Sequence, residues 1–160
     1  MDDMLRENSM RSIKLLVSGL ILAGAVAVHA ATPDDAVNAR KANFKQIGGA
    51  AKGTGDTLKT ATPDLALIKK NAAIIASLAP KVPTWFPAGT GIGKVSVKTG
   101  AKPEIWSDNA GFKLAAANFA KAAGDFKVAA DSGNLDAIKA KMGALGGTCK
   151  ACHDKYREKD

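Results

Sequence analysis

Apolar residues recur along most of this chain at alternating spacings of three and four, the signature of helices that bury one face. Val37, Phe44, Ile47 and Ala51 mark the first such face, and Thr32-Pro33-Asp34-Asp35 starts it with a cap, a proline where no amide donor is needed and two carboxylates at the positive helix end. Gly48, Gly49, Gly53 and Gly55 weaken its far end. A second helix opens in the same way at Thr62-Pro63-Asp64, carries Leu65, Ile68, Ala72, Ile75 and Leu78, and stops at Pro80. The third begins near Lys102-Pro103-Glu104-Ile105-Trp106 or after Ser107 as a cap, and its seam is Phe112, Ala115, Phe119, Ala122 and Phe126. Asp131-Ser132-Gly133-Asn134 turns the chain into a fourth helix striped with Leu135, Ile138, Met142, Leu145, Cys149, Cys152 and Tyr156. No stretch sustains the alternation of a strand, so the pattern predicts an all-α, antiparallel four-helix bundle. Residues 80–103 make one long Gly/Pro-containing connection with Trp85 and Phe86, a length that implies function or packing of its own.

The first 30 residues read differently. Arg11 and Lys14 precede an apolar run from Leu15 to Val28, and Val28-His29-Ala30 before Ala31 has the small residues that signal peptidase needs at −3 and −1. The pattern predicts a secretory signal peptide over residues 1–30, cleaved after Ala30, and one domain over residues 31–160. The run is short of the roughly 20 residues of a spanning helix, which leaves an uncleaved anchor as the alternative. Met10 is an alternative start, with a tidier basic lead than the acidic segment before it.

Cleavage removes three basic residues (Arg6, Arg11, Lys14) and three acidic ones (Asp2, Asp3, Glu7), so the formal charge of +8 is unchanged. That excess suits an acidic partner. Nucleic acid is not expected, because the basic residues are scattered and aromatics make up only 5% of the chain. Cleavage also removes His29, Met1, Met4 and Met10, which leaves His153 and Met142 as the only histidine and methionine.

Cys149-Lys150-Ala151-Cys152-His153 has the C-x-x-C-H form of c-type heme attachment. Two thiols three residues apart on a helix project to one side and can add across the two vinyl groups of one heme c, while the next residue, His153, reaches the iron as an axial imidazole. A disulfide or a thioredoxin-like redox pair is the alternative use of the cysteines, though the βαβ context of the latter is missing. Zinc lacks ligands, with two cysteines and one histidine to hold it.

The C-terminal placement of this motif, followed by Tyr156 and Arg157 on the last of four helices, resembles the class II cytochromes c, and within them the cytochrome c′ family. The resemblance extends to Asp35-Ala36-Val37 with Arg40 four residues before Phe44, and to Lys102-Pro103-Glu104-Ile105-Trp106-Ser107-Asp108. It implies an up-down-up-down bundle with a pentacoordinate heme near one end, often as a homodimer in the periplasm. It places Phe44 at the position facing the empty distal side of high-spin members, where low-spin relatives carry a ligating Met; ordinary core packing is the other reading of Phe44. Arg157, one turn after His153, is expected beside the proximal face or else solvated. Arg40 is expected to reach a heme propionate or a nearby carboxylate, with a solvated position as the alternative.

Met142 falls on the helix-four stripe and reads as core, so no thioether or second imidazole is left for the sixth iron position; a lysine ligand remains open. A five-coordinate heme under an apolar pocket formed by Phe44 with Trp85 or Phe86 is the expectation, admitting NO or CO and resisting anions. Two functions share that scaffold: an electron carrier meeting an acidic periplasmic redox partner, and a NO-binding or NO-buffering protein. No acid–base group can be placed over the iron, so an enzyme such as a peroxidase is not expected.

Overall fold

A computed structural model describes residues 32–159; the expected signal peptide, residues 1–30, lies outside them. The described chain forms α1 (Pro33–Thr57), α2 (Leu65–Leu78), a 3-10 helix (Ala79–Trp85), α3 (Glu104–Ser107), α4 (Asn109–Ser132) and α5 (Leu135–Tyr156). The four long helices are those of the predicted bundle, and among the described residues the only β pairing is an isolated antiparallel bridge between Ala101 and Arg157.

Local chemistry explains most of the helix ends. The Thr32 hydroxyl accepts from the Asp35 amide at 3.1 Å and the Asp35 carboxylate accepts from the Thr32 amide at 2.9 Å, a reciprocal capping box. The glycines do not end α1, which continues to Thr57. Each costs about 1 kcal/mol against alanine in an isolated helix, but α1 packs on α2, with Gly53 against Asn71, and tertiary packing outweighs propensity. The cap of α2 is Asp64, accepting from the Leu67 amide at 2.9 Å; α2 stops at Leu78, ahead of Pro80 as expected, and the chain continues as the 3-10 helix.

The third helix is split in two, and its second start lies one residue beyond the expected cap Ser107. Pro103 precedes the single turn α3, the backbone breaks at Asp108, and Asp108 rather than Ser107 caps α4 through the Gly111 amide at 3.2 Å. Gly133, at φ 73°, ends α4 in the left-handed conformation that glycine adopts without strain. The seam of α4 is also wider than expected: Ala116 and Ala123 are buried beside Phe112, Phe119 and Phe126, while Ala115 and Ala122 are half-buried. A helix that packs on α2 and on α5 needs two adjacent buried rows.

The packing is uneven around the bundle. α1 lies on α2, α2 on α4 and α4 on α5, but α1 and α5 barely meet. At one end Ile68, Ile75, Phe126 and Ile138 are fully buried. At the other, α1 and α5 stand apart and the connection between α2 and α4 covers part of the opening.

Candidate functional site

The space between α1 and α5 is a cavity of about 970 Å³, at the top of the range of roughly 300–1,000 Å³ usual for ligand and cofactor sites. Arg40 and Phe44 of α1, Phe86 of the long connection, and Cys149, Cys152, His153 and Arg157 at the end of α5 all line it. The seven residues singled out from sequence thus share one site. Met142 is half-buried against the core and is not part of the cavity wall.

Cys149 and Cys152 continue the stripe that buries Ile138 and Leu145, but no helix closes over them, so they remain half-buried free thiols facing the cavity. Burial pushes both thiols above the ordinary cysteine range, and Cys149 raises Cys152 further. They are therefore neutral. His153 follows on the same turn, and partial desolvation, then the charge of Arg157, pull its imidazole below its usual value against the opposing pull of Asp154. A neutral imidazole with a free lone pair is the form that binds a metal.

The end of α5 is held from outside. The Lys102 amide donates to the Tyr156 carbonyl at 3.1 Å, and the Glu158 amide to the Gly100 carbonyl at 2.8 Å. Asp108 adds a side-chain anchor that sequence reading did not find. Its Oδ2 accepts from the Tyr156 hydroxyl at 2.8 Å and the Lys155 ammonium at 2.5 Å while the other oxygen caps α4. Those donors hold its carboxyl below the usual carboxylate range. Gly111 is required here, since a Cβ on it would stand 2.7 Å from the Tyr156 hydroxyl.

Arg40 is neither solvated nor paired with a protein carboxylate, which corrects both expectations for its protein surroundings. It is 3% exposed, and its guanidinium donates to the Thr90 hydroxyl at 2.7 Å, the Thr90 carbonyl at 2.6 Å and the Thr99 hydroxyl at 2.6 Å, with the Phe86 ring 4.7 Å away. These bonds tie the long connection to α1. The signal for them was weak: Thr90 and Thr99 sit in a Gly-rich segment without periodicity.

Aromatic rings line the same end. Phe44 meets Trp85 edge-on at 5.2 Å and Phe86 at 6.2 Å; Phe86 meets Phe112 at 5.1 Å, and Phe112 meets Tyr156 at 5.4 Å. Trp85 supports Phe44 from behind and is not on the cavity wall, whereas Phe86 is. The Trp106 indole donates to the Phe86 carbonyl at 3.1 Å, fixing that turn.

These features suit a covalent heme. The cavity has the volume, its wall carries two thiols and an imidazole in consecutive register, and its depth holds a buried cation whose protein partners are all neutral. Buried charges are ordinarily balanced. A propionate would balance this one.

Known proteins agree. The family model described as cytochrome c′ matches residues 35–157. The cytochrome c′ of Rubrivivax gelatinosus is 38% identical over 128 residues, covering 79% of this chain and 97% of that protein. A nitric oxide complex of a variant of cytochrome c′ from Alcaligenes xylosoxidans superposes with a TM-score of 0.71 at 36% identity, covering 81% of this chain and 98% of that one. A cytochrome c′ with ligand-controlled dimer dissociation superposes at 0.75 with 28% identity, covering 81% and 99%. With its motif, bundle and cavity in place, the chain belongs to the cytochrome c′ family of covalent heme c proteins.

Proposed function

We propose that this protein is an exported, periplasmic electron carrier with a single five-coordinate heme c. Cys149 and Cys152 form the thioether links, His153 is the axial iron ligand, and Arg40, Phe44, Phe86 and Arg157 line the pocket. The observation that carries the reading is the convergence of all seven residues on one cavity between α1 and α5.

The heme supplies one-electron exchange and, with one face open, small-gas binding. The chain's own residues set its surroundings. Phe44 and Phe86 would keep water and anions from the part of the cavity they line; Arg40, fixed by Thr90 and Thr99, would offer its remaining N–H groups to a propionate. His153 is the only histidine among the described residues, and Met142 points to the core rather than the cavity. That shortage of imidazole and thioether ligands supports five-coordination. Among the described residues no carboxylate lines the cavity.

Absorption of the reduced, heme-loaded protein with and without CO tests this reading. A broad high-spin spectrum that shifts on adding CO is the expected result. Sharp α and β bands without added ligand would overturn five-coordination.

A NO- or CO-binding role is the second reading, favoured by the apolar ring cluster of Phe44, Trp85 and Phe86 and by the nitric oxide complex of the A. xylosoxidans relative. Fast, tight NO binding combined with poor electron exchange would select it. Export rests on the signal pattern of residues 1–30, and a homodimer rests on the relative that dissociates under ligand control. Sedimentation of the holoprotein with and without CO reads the second.

A further inference from the structure

The charges around the cavity are one-sided. Lys41, Lys45, Lys98 and Arg157 are exposed and line its opening, Arg40 lies deeper, and among the described residues no Asp or Glu lines it. Lys98 and Arg157 make further interactions of their own. Four helix lysines away from the cavity pair with a carboxylate four residues on: Lys52 with Asp56 at 2.5 Å, Lys121 with Asp125 at 3.1 Å, Lys127 with Asp131 at 2.6 Å, and Lys150 with Asp154. At the opening α1 supplies no such carboxylate. Lys41 and Lys45 are themselves four residues apart, and the positions three and four away hold Val37, Asn38, Phe44, Ala42, Gly48 and Gly49, so the two ammonium groups reinforce each other.

A bound heme does not cancel this field. Its two propionates would offset part of the charge, and among the described residues no carboxylate of the cavity wall offsets the rest. A low-dielectric opening of one sign concentrates its field and steers oppositely charged partners.

We propose that Lys41, Lys45, Lys98 and Arg157 form the docking face for an acidic redox protein, which delivers or removes the electron across this opening. This rests on the electron-carrier reading and supplies its partner surface. An anionic membrane is the weaker fit, because the exposed large apolar residues Leu65, Leu67, Ile92, Leu114 and Val128 do not line the opening and so give a bilayer nothing to hold there.

The test uses the holoprotein and two small oxidants of opposite charge, hexacyanoferrate(III) and hexaammineruthenium(III), each taking one electron from the reduced protein. Stopped-flow rates are compared for the parent, for Lys41→Glu with Lys45→Glu, and for Lys69→Glu with Lys70→Glu. The second pair makes the same charge change on exposed positions of α2 away from the cavity. The rim variant is expected to slow hexacyanoferrate about tenfold at low salt and to speed the cationic reagent, with the difference vanishing at high salt, while the α2 variant stays within about twofold of the parent. Equal effects of the two variants would show that only net charge matters and overturn the docking face. Failure of the parent to exchange electrons with either reagent would overturn the carrier reading as well, and is distinguishable because both salt dependence and variant effects would be missing.

Binding of poly-glutamate and of anionic phosphatidylserine vesicles is measured alongside. Weakening of poly-glutamate binding in the rim variant, without comparable vesicle binding by the parent, is the supporting result. Vesicle binding that is tighter than poly-glutamate binding and depends on Lys41 and Lys45 would assign the face to a membrane instead.

Discussion

At the closed end of the bundle Ile68, Ile75, Phe126 and Ile138 are fully buried, whereas at the open end Cys149 and Cys152, on the same stripe of α5 as Ile138, stay half-buried beside a cavity. α1 and α5 both carry apolar stripes, yet the two helices barely meet. Apolar surface is thus laid down for which the chain supplies no partner, and a cofactor is what such surface accommodates. The closed end contributes stability through packing. The open end must be held in shape by other means, and the means are polar: Arg40 on Thr90 and Thr99, Asp108 on Tyr156 and Lys155, and backbone bonds from residues 100–102 to the end of α5.

The largest effect should come from removing the thiols. With Cys149→Ser and Cys152→Ser together, acidified acetone is expected to extract all heme from the protein, while each single variant keeps one thioether; heme staining on a denaturing gel reads the outcome. Retention of heme by the double variant would break the assignment of the open end.

Phe126→Ala probes the other end. Truncating a fully buried phenylalanine should cost about 3–5 kcal/mol in denaturant unfolding. The CO-difference spectrum of the surviving folded protein should be unchanged, because Phe126 does not touch the cavity. A spectral change would mean that the two ends are coupled.

Arg40→Met should cost about 2 kcal/mol, from charge-assisted hydrogen bonds lost inside a nearly buried site. Hydrogen exchange should rise first in residues 86–101, whose attachment to α1 it removes. Exchange spread evenly through the bundle would show that Arg40 acts on global stability instead.

The smallest effect is set by pH. Lys155 and Tyr156 hold the Asp108 carboxyl below its usual value, so its contribution to stability is fully present above the ordinary carboxylate pKa and is lost as pH falls through the lower folded value. Asp108→Asn should therefore be less stable than the parent at neutral pH, and the two should converge in acid. Parallel acid-unfolding curves, offset by the same amount at every pH, would remove Asp108 as a charged anchor.

Periodicity made the four long helices legible, because each must hide one face and the spacing of that face is written along the chain. The reciprocal cap at Thr32 was readable for the same reason: its partners lie three residues apart. The heme motif was readable because its three chemical groups are nearly contiguous. Other features depend on residues far apart. The break at Asp108 went unassigned because its hydroxyl and ammonium partners are on α5, and α1 ran through its glycines because α2 supports it.

The sequence by itself determined the helices and the thiols and imidazole in register, since these are local. Only the tertiary structure decided that α1 and α5 fail to close, that Arg40 is buried among neutral oxygens, and that lysines from α1 and the long connection gather with Arg157 at one opening. The physical reason is the same in each case: local spacing dictates which face of a helix is apolar, but what that face meets depends on elements brought together from across the chain.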